Sequence, residues 1–292
     1  FAFLKKRMEN SKGGFFAAID ADNDEGEGRY YVFNSEEIKK VAGDDLLLCT
    51  DFYRINLDKP FEDSFFHLQQ NKNPKGILEK FALSEDELSK KRQGWEKQFE
   101  IIKQQREFPL IDNKIITSWN AQLITGLVSA YEAFKDEAFL IQAKETYGFI
   151  QSNLLKGKQL WHTFQDEEAK IEGNLEDYAF TIEAALALYK NTGDLDYLNQ
   201  AEELTKTTLQ KFETTENPFF TFTEDPVLFS KIISVDDNVI PSSNAVMAEN
   251  LWLLGELLGS KKYSTKAQEM LESMASYFSE GRGSDYSKWA QL

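Results

Sequence analysis

The stretch NLEDYAFTIEAALALYKNTGDLDYLNQAEEL, Asn174 to Leu204, decides the fold class. Asn174 is a good helix N-cap, and Leu175, Tyr178, Ala179, Ile182, Ala185, Leu186 and Tyr189 follow it at the three- and four-residue steps of an amphipathic helix. A second helix then carries Tyr197 and Ala201. The same unit stands on either side. Upstream, a helix from near Thr117 places Trp119, Leu123, Ile124, Leu127, Tyr131 and Phe134 on one stripe. Downstream, a helix from near Ser242 carries Ala245, Ala248, Leu251, Trp252, Gly255 and Leu258. In the second helices Phe139, Tyr197 and Tyr263 are equivalent, and so are Ala143, Ala201 and Ala267, at the same two intervals. Carried backward, that register pairs Asn120, Tyr178 and Asn244. Equal offsets between independent marks identify a repeat.

Repeats of two antiparallel helices stack as a solenoid or close into an α/α toroid. The connections favour the toroid, because WHTF (Trp161 to Phe164) and PFFTF (Pro218 to Phe222) read as short aromatic β-like stretches between pairs. The predicted fold is mostly α: an incomplete ring of helical hairpins with a small β-hairpin insertion near the N-terminus. We read residues 1–292 as one domain, with a mixed part over 1–115 and three hairpins over 116–292. In the mixed part FFAAID (Phe15 to Asp20) and RYYVF (Arg29 to Phe33) are strand-like and predict a long-looped hairpin. Asn34 with Glu37, and Ser84 with Glu87, have the spacing of capping boxes.

A chain of 292 residues that is 41% hydrophobic is globular and builds a sizeable core. Its 33 basic against 49 acidic residues, a formal net charge of −16, repel phosphate backbones and anionic membrane surfaces, so nucleic acid and membrane are excluded as expected partners. Cys49 is the only cysteine, which rules out an internal disulfide and any cysteine-rich zinc site, and fits a reducing, cytoplasmic compartment. No run of about 18 apolar residues predicts a membrane helix. The chain opens on Phe1 within a helix-like stretch and reads as a piece of a longer polypeptide.

In a ring of hairpins the first helices run parallel, so their N-termini share one mouth and offer unpaired N–H groups and positive partial charge. The candidate substrate-binding residues there are Trp119, Asn120, Tyr178, Ser242 and Asn244, with Glu176 and Asp177 as candidate catalytic carboxylates. Asn174, Ser118, Ser242 and Asp177 are also what plain helix capping uses. Asp20, Asp22, Asp24 and Glu25 cluster, yet the EF-hand template fails at Glu25 and Tyr31, and a polar hairpin loop is the better reading; such a loop can fold over a site, which makes Asp20 and Asp22 further candidate substrate-binding residues. His67 and His162 are the only histidines and have no metal-binding spacing, so no metal and no cofactor are expected.

GGFFAAIDADNDEGEGRYYVF, DNKIITSWNAQLITGL, NLEDYAF and IPSSNAVMAENLWLL, in this order, resemble the YyaL-like family, which includes spermatogenesis-associated protein 20; the likeness runs from Gly13 to about Tyr263. The resemblance implies an α/α toroid similar to those of six-hairpin glycosidases and N-acylglucosamine 2-epimerases, attached in the parent polypeptide to a thioredoxin-like domain. The family's marked positions fall on Asp20, Asp22, Glu27, Asp112, Lys114, Trp119, Asn120, Glu176, Asp177, Tyr178, Pro241, Ser242 and Asn244. Asn113 and Ser243 depart from its pattern, where an acidic residue and a glycine are usual.

Two functions stay open. In one, the mouth binds and processes a carbohydrate, with two carboxylates flanking the bond as in glycosidases; Asp177 with Asp112 is the preferred pair, and Glu176 and Asp237 are further candidates. An epimerase reading fares worse, because neither histidine falls at the start of a first helix. In the other, the toroid is a non-catalytic scaffold that presents a glycan or protein to the thioredoxin-like module.

Overall fold

A computed structural model describes residues 1–223, 232–279 and 283–292. The chain divides into two compact units, one of residues 1–17 with 113–292 and one of residues 18–112.

The first unit is mostly α, an arc of three α/α hairpins that makes part of a toroid. Its inner helices are Thr117–Phe134, Leu175–Thr192 and Ser243–Leu258, and their outer partners are Glu137–Phe149, Leu195–Phe212 and Lys261–Ser273. The second inner helix packs between the first and the third, and each inner helix packs on its own outer helix. That position explains its sequence, since eleven of its residues from Leu175 to Leu188 are buried, small Ala179, Ala184 and Ala185 among them. The outer helices pack through the repeated positions, with Ala143, Ala201 and Ala267 all buried. Two parts of the predicted stripes differ. Trp119 is 48% and Trp252 50% exposed, and Phe134 is exposed, because the first and third inner helices have a described helical neighbour on one side only. Ala121, Ile124, Leu127 and Val128 form the buried face of the first.

The second and third inner helices start with distinct side-chain caps. Asn174 accepts the N–H groups of Glu176 and Asp177, while the Asp177 carboxylate accepts the Asn174 N–H, a reciprocal capping box. Ser242 accepts from Ala245 N–H at the third helix. Between the first two hairpins WHTF is indeed β: the strand Gln159–Gln165 pairs on one side with Ile115–Ile116 and on the other with Glu168–Glu172. PFFTF forms no strand; Phe219, Phe220 and Thr221 are buried in the core as irregular chain.

The second unit has its own core of Phe33, Ile38, Leu48, Phe52, Tyr53, Trp95 and Phe99. Its helices Ser35–Ala42 and Glu85–Gln104 begin at the capping boxes read from the sequence, Asn34 with Glu37 and Ser84 with Glu87. The predicted long-looped hairpin does not form. Ala18–Ile19 pairs with Ile111–Asp112, and the acidic loop folds on itself as a short hairpin of Asp22–Asn23 with Gly26–Glu27. Arg29–Tyr31 is a 3-10 turn because the Arg106 guanidinium collects the carbonyls of Arg29 (2.7 Å) and Val32 (2.6 Å) and grips Glu37 at 2.7 and 2.8 Å. Those carbonyls are therefore turned away from any strand partner.

Candidate functional site

The repeated position Asn120, Tyr178 and Asn244, expected to line the mouth, is a backbone clamp. Asn120 donates to Phe15 O (3.0 Å) and Ile116 O (2.9 Å) and accepts Phe15 N–H (2.8 Å). Asn244 does the same to Phe220, accepting its N–H at 2.7 Å and donating to its O at 3.1 Å, with a further bond to Ser234 O at 3.0 Å. At the equivalent place Tyr178 takes the Leu160 N–H on its hydroxyl at 3.0 Å. All three side chains are buried, and each pins the chain segment that lies against its helix.

Around Asp177 the arrangement changes character. This carboxylate has no exposed surface and is held by the N–H groups of Asn174 (3.0 Å) and Ser118 (3.1 Å). His162, reaching over from its strand, places Nδ1 at 2.9 Å from Oδ2 and 3.1 Å from Oδ1. Burial pushes the Asp177 carboxyl up, against the bonds from His162, Asn174 and Ser118 that pull it down. The two backbone N–H groups favour the ionised carboxylate, as does His162 when its Nδ1 carries the proton. The hydrogen bond to Asp177 accordingly raises the His162 pKa, outweighing its partial burial, with the charges of Asp177 and Glu176 adding to the effect. The histidine side chain remains 25% exposed, so one end of the ring is buried on a carboxylate while the residue keeps contact with solvent.

Glu176, one residue earlier, is half-buried, and burial raises its pKa, helped by the neighbouring Asp177 charge and opposed by His162. It lines a cavity of about 390 Å³ together with Ser234, Asp236, Asn238, Ser242 and Ser243. Phe222, Ile232, Val239, Ile240 and Pro241 complete the lining, so hydroxyls, an amide and two carboxyls stand in a largely apolar cavity, as in sites that orient a ligand through a few polar groups. Exposed Trp119 follows Ser118 at the start of the first inner helix and offers a flat ring. Among the described residues no group of three or more His, Cys, Asp or Glu is placed to hold a metal ion.

Over this architecture the sequence aligns with curated relatives along nearly its whole length. It is 22% identical over 312 residues to spermatogenesis-associated protein 20 of Homo sapiens and 23% over 315 residues to that of Mus musculus, each alignment covering 94% of the chain. The chain is a homologue of spermatogenesis-associated protein 20. An uncharacterised protein of Caenorhabditis elegans, B0495.5, is 28% identical over 295 residues, 90% of the chain. The chain spans 40% of the length of the worm and human relatives. No protein-family model matches it. Among solved structures, a GH76 α-mannanase of Bacteroides thetaiotaomicron superposes with a TM-score of 0.49 at 16% identity, over 56% of this chain and 45% of that one. A cellobiose 2-epimerase of Bacillus thermoamylovorans gives 0.45 at 12% identity, over 94% and 68%. At these values the superpositions bear on neither chemistry nor substrate.

The homology spans both units, and the sequence-predicted residues divide between them. Glu176, Asp177, Trp119, Asn120, Tyr178, Ser242 and Asn244 belong to the hairpin unit, whereas Asp20, Asp22 and Asp112 belong to the other. There Asp112 pairs with Ala18 across a two-stranded ladder, and Asp22 opens the acidic hairpin. Asp237 accepts the Ser242 N–H at 2.9 Å and so caps the third inner helix from outside it. Sequence reasoning set His162 aside for want of a partner at helical or metal-binding spacing. Its partner lies across a strand-to-helix connection, and the one available signal was a histidine on the same strand face as buried Leu160 and Phe164, shortly before an inner helix.

Proposed function

We propose that the mouth of the hairpin unit binds a carbohydrate and moves a proton on it, with His162 as general base and Glu176 as general acid. The observation that carries this reading is the His162–Asp177 pair at 2.9 Å. A buried carboxylate on Nδ1 fixes the imidazole's orientation and tautomer and leaves Nε2 as the working end, the arrangement by which a histidine is made a directed base. Glu176, with its pKa raised by burial, holds a proton more readily than an exposed glutamate does. Trp119 stacks on the ring of the sugar, and Ser242 and Ser243 bind its hydroxyls. Asp177 acts through His162 and is a positioning residue. Asn120, Tyr178 and Asn244 maintain the walls. Hydrolysis by a pair of carboxylates fits this turn less well, because Asp177 is enclosed by donors and cannot reach a glycosidic bond.

Proton transfer beside a carbonyl has a direct readout. The full-length protein, incubated in D2O with a panel of reducing sugars and followed by NMR, exchanges a carbon-bound proton next to the carbonyl. His162→Gln loses that exchange while keeping sugar binding. Binding with no exchange and no glycoside cleavage in the wild type overturns the reading and leaves a glycan-binding module.

A further inference from the structure

Residues 232–240 form an irregular wall of the cavity. Ile232, Ser234, Asp236, Asn238, Val239 and Ile240 line it, while Val235 is buried and marks a second, inward side of the wall. That second side is held by the segment 285–289. Asp237 N–H donates to Asp285 O at 2.7 Å, and the Asp237 carboxylate accepts Lys288 N–H at 2.7 Å. Trp289, almost wholly buried, donates its indole N–H to Val235 O at 2.8 Å. The Lys288 ammonium then continues inward, between the second and third inner helices, to Glu183 (2.9 Å) and Glu249 (2.6 Å).

Glu183 and Glu249 hold corresponding places in successive repeats, separated by the same interval as Tyr178 and Asn244. Glu183 lies seven residues after Glu176, thus on the same helix face about two turns along. One lysine therefore joins the tail to both inner helices whose first turns form the mouth. Its neighbours in the same segment grip the far side of the cavity wall.

We infer that residues 285–289 are a strap which sets the position of the cavity wall, so that its docking and occupancy of the mouth by ligand are thermodynamically linked. The linkage is reciprocal: a ligand seated against the cavity wall tightens the strap, and a released strap weakens the ligand. The ligand arm rests on the carbohydrate reading above; the wall arm does not.

The test uses hydrogen exchange and sugar titration on the full-length protein, comparing wild type with Lys288→Met, Lys288→Arg and Lys288→Met/Glu183→Gln/Glu249→Gln. Lys288→Met removes the anchor and leaves two carboxylates facing each other, while the triple variant removes the anchor without that repulsion. Both speed exchange in 232–241 by about tenfold or more with the first hairpin unchanged, as a local opening does, and Lys288→Arg stays close to wild type. Unchanged exchange in the triple variant, or an equal rise throughout the unit, overturns the strap. Should no sugar bind any protein while 232–241 still loosens, the strap stands and the carbohydrate reading falls. A sugar bound equally by wild type and the loosened triple variant refutes the linkage.

Discussion

Asp177→Asn isolates the interaction on which the site is built. In the native unit Oδ2 accepts Asn174 N–H at 3.0 Å and His162 Nδ1 at 2.9 Å, and Oδ1 accepts Ser118 N–H at 3.1 Å. An amide keeps the shape and supplies one oxygen. Whichever way it is turned, its NH2 faces a backbone N–H, and one buried donor loses its acceptor at a cost of about 1–3 kcal/mol. The charge-assisted bond to His162 goes as well, about 1.5–3 kcal/mol more. Together these give about 2.5–6 kcal/mol, and the range found when one partner of a buried charged pair is removed, about 3–5 kcal/mol, lies within it. At about 2–4 °C per kcal/mol for a unit of this size, Tm falls by about 6–20 °C. Calorimetry of the full-length protein at neutral pH, with Glu176→Gln as the control, reads this directly. Among the described residues the Glu176 side chain holds no backbone group, so its variant stays within about 1 kcal/mol of wild type. A Tm for Asp177→Asn within a degree or two of wild type refutes the claim that this carboxylate is ionised and holds the helix start together.

Three further outcomes follow from the same geometry. Because His162 has its pKa raised by Asp177, the stability this pair contributes is fully present below the ordinary histidine value of about 6.5 and is lost as pH rises through the higher folded value. The Tm difference between wild type and His162→Gln is therefore larger at pH 6 than at pH 9, and a difference independent of pH in thermal scans counts against the pair. Asn244→Ala strips Phe220 of both backbone partners and Ser234 O of one, lowering stability by about 2–4 kcal/mol in denaturant titration, with Asn120→Ala behaving alike. Gly173→Ala puts a Cβ 2.7 Å from Leu160 O, where the helix start meets the strand that carries His162; it costs about 1–3 kcal/mol and reduces the proposed proton exchange, whereas exchange equal to wild type would detach the strand from the site.

The repeat was legible because close packing of helices repeats its demands. Ala143, Ala201 and Ala267 are buried at equivalent places, and no larger side chain suits a close helix contact three times over. The capping boxes at Asn34 and Ser84 were legible because both partners lie within one turn of chain. What the sequence hid depends on partners that are distant along the chain. Ala18–Ile19 finds Ile111–Asp112 rather than the nearby RYYVF, whose carbonyls Arg106 captures from the end of a long helix. His162 finds Asp177 through the strand pairing that positions it, and local spacing carries no trace of that.

The mouth residues read together from the sequence separate once packing is known, and the separation follows from helix geometry. Positions two apart on a helix point about 200° from each other. In the second inner helix Glu176 lines the cavity while Tyr178 turns back to hold Leu160. In the third, Ser242 lines it while Asn244 turns back to hold Phe220. One turn thus serves the wall with one side chain and the cavity with another. Asp177 lies between the two directions, where it can close the capping box and still reach the neighbouring strand. A carboxylate there is committed to the fold on two of its bonds and to His162 on the third. For that reason the proposed chemistry falls to its neighbours, with Glu176 as the proposed acid and His162 as the proposed base.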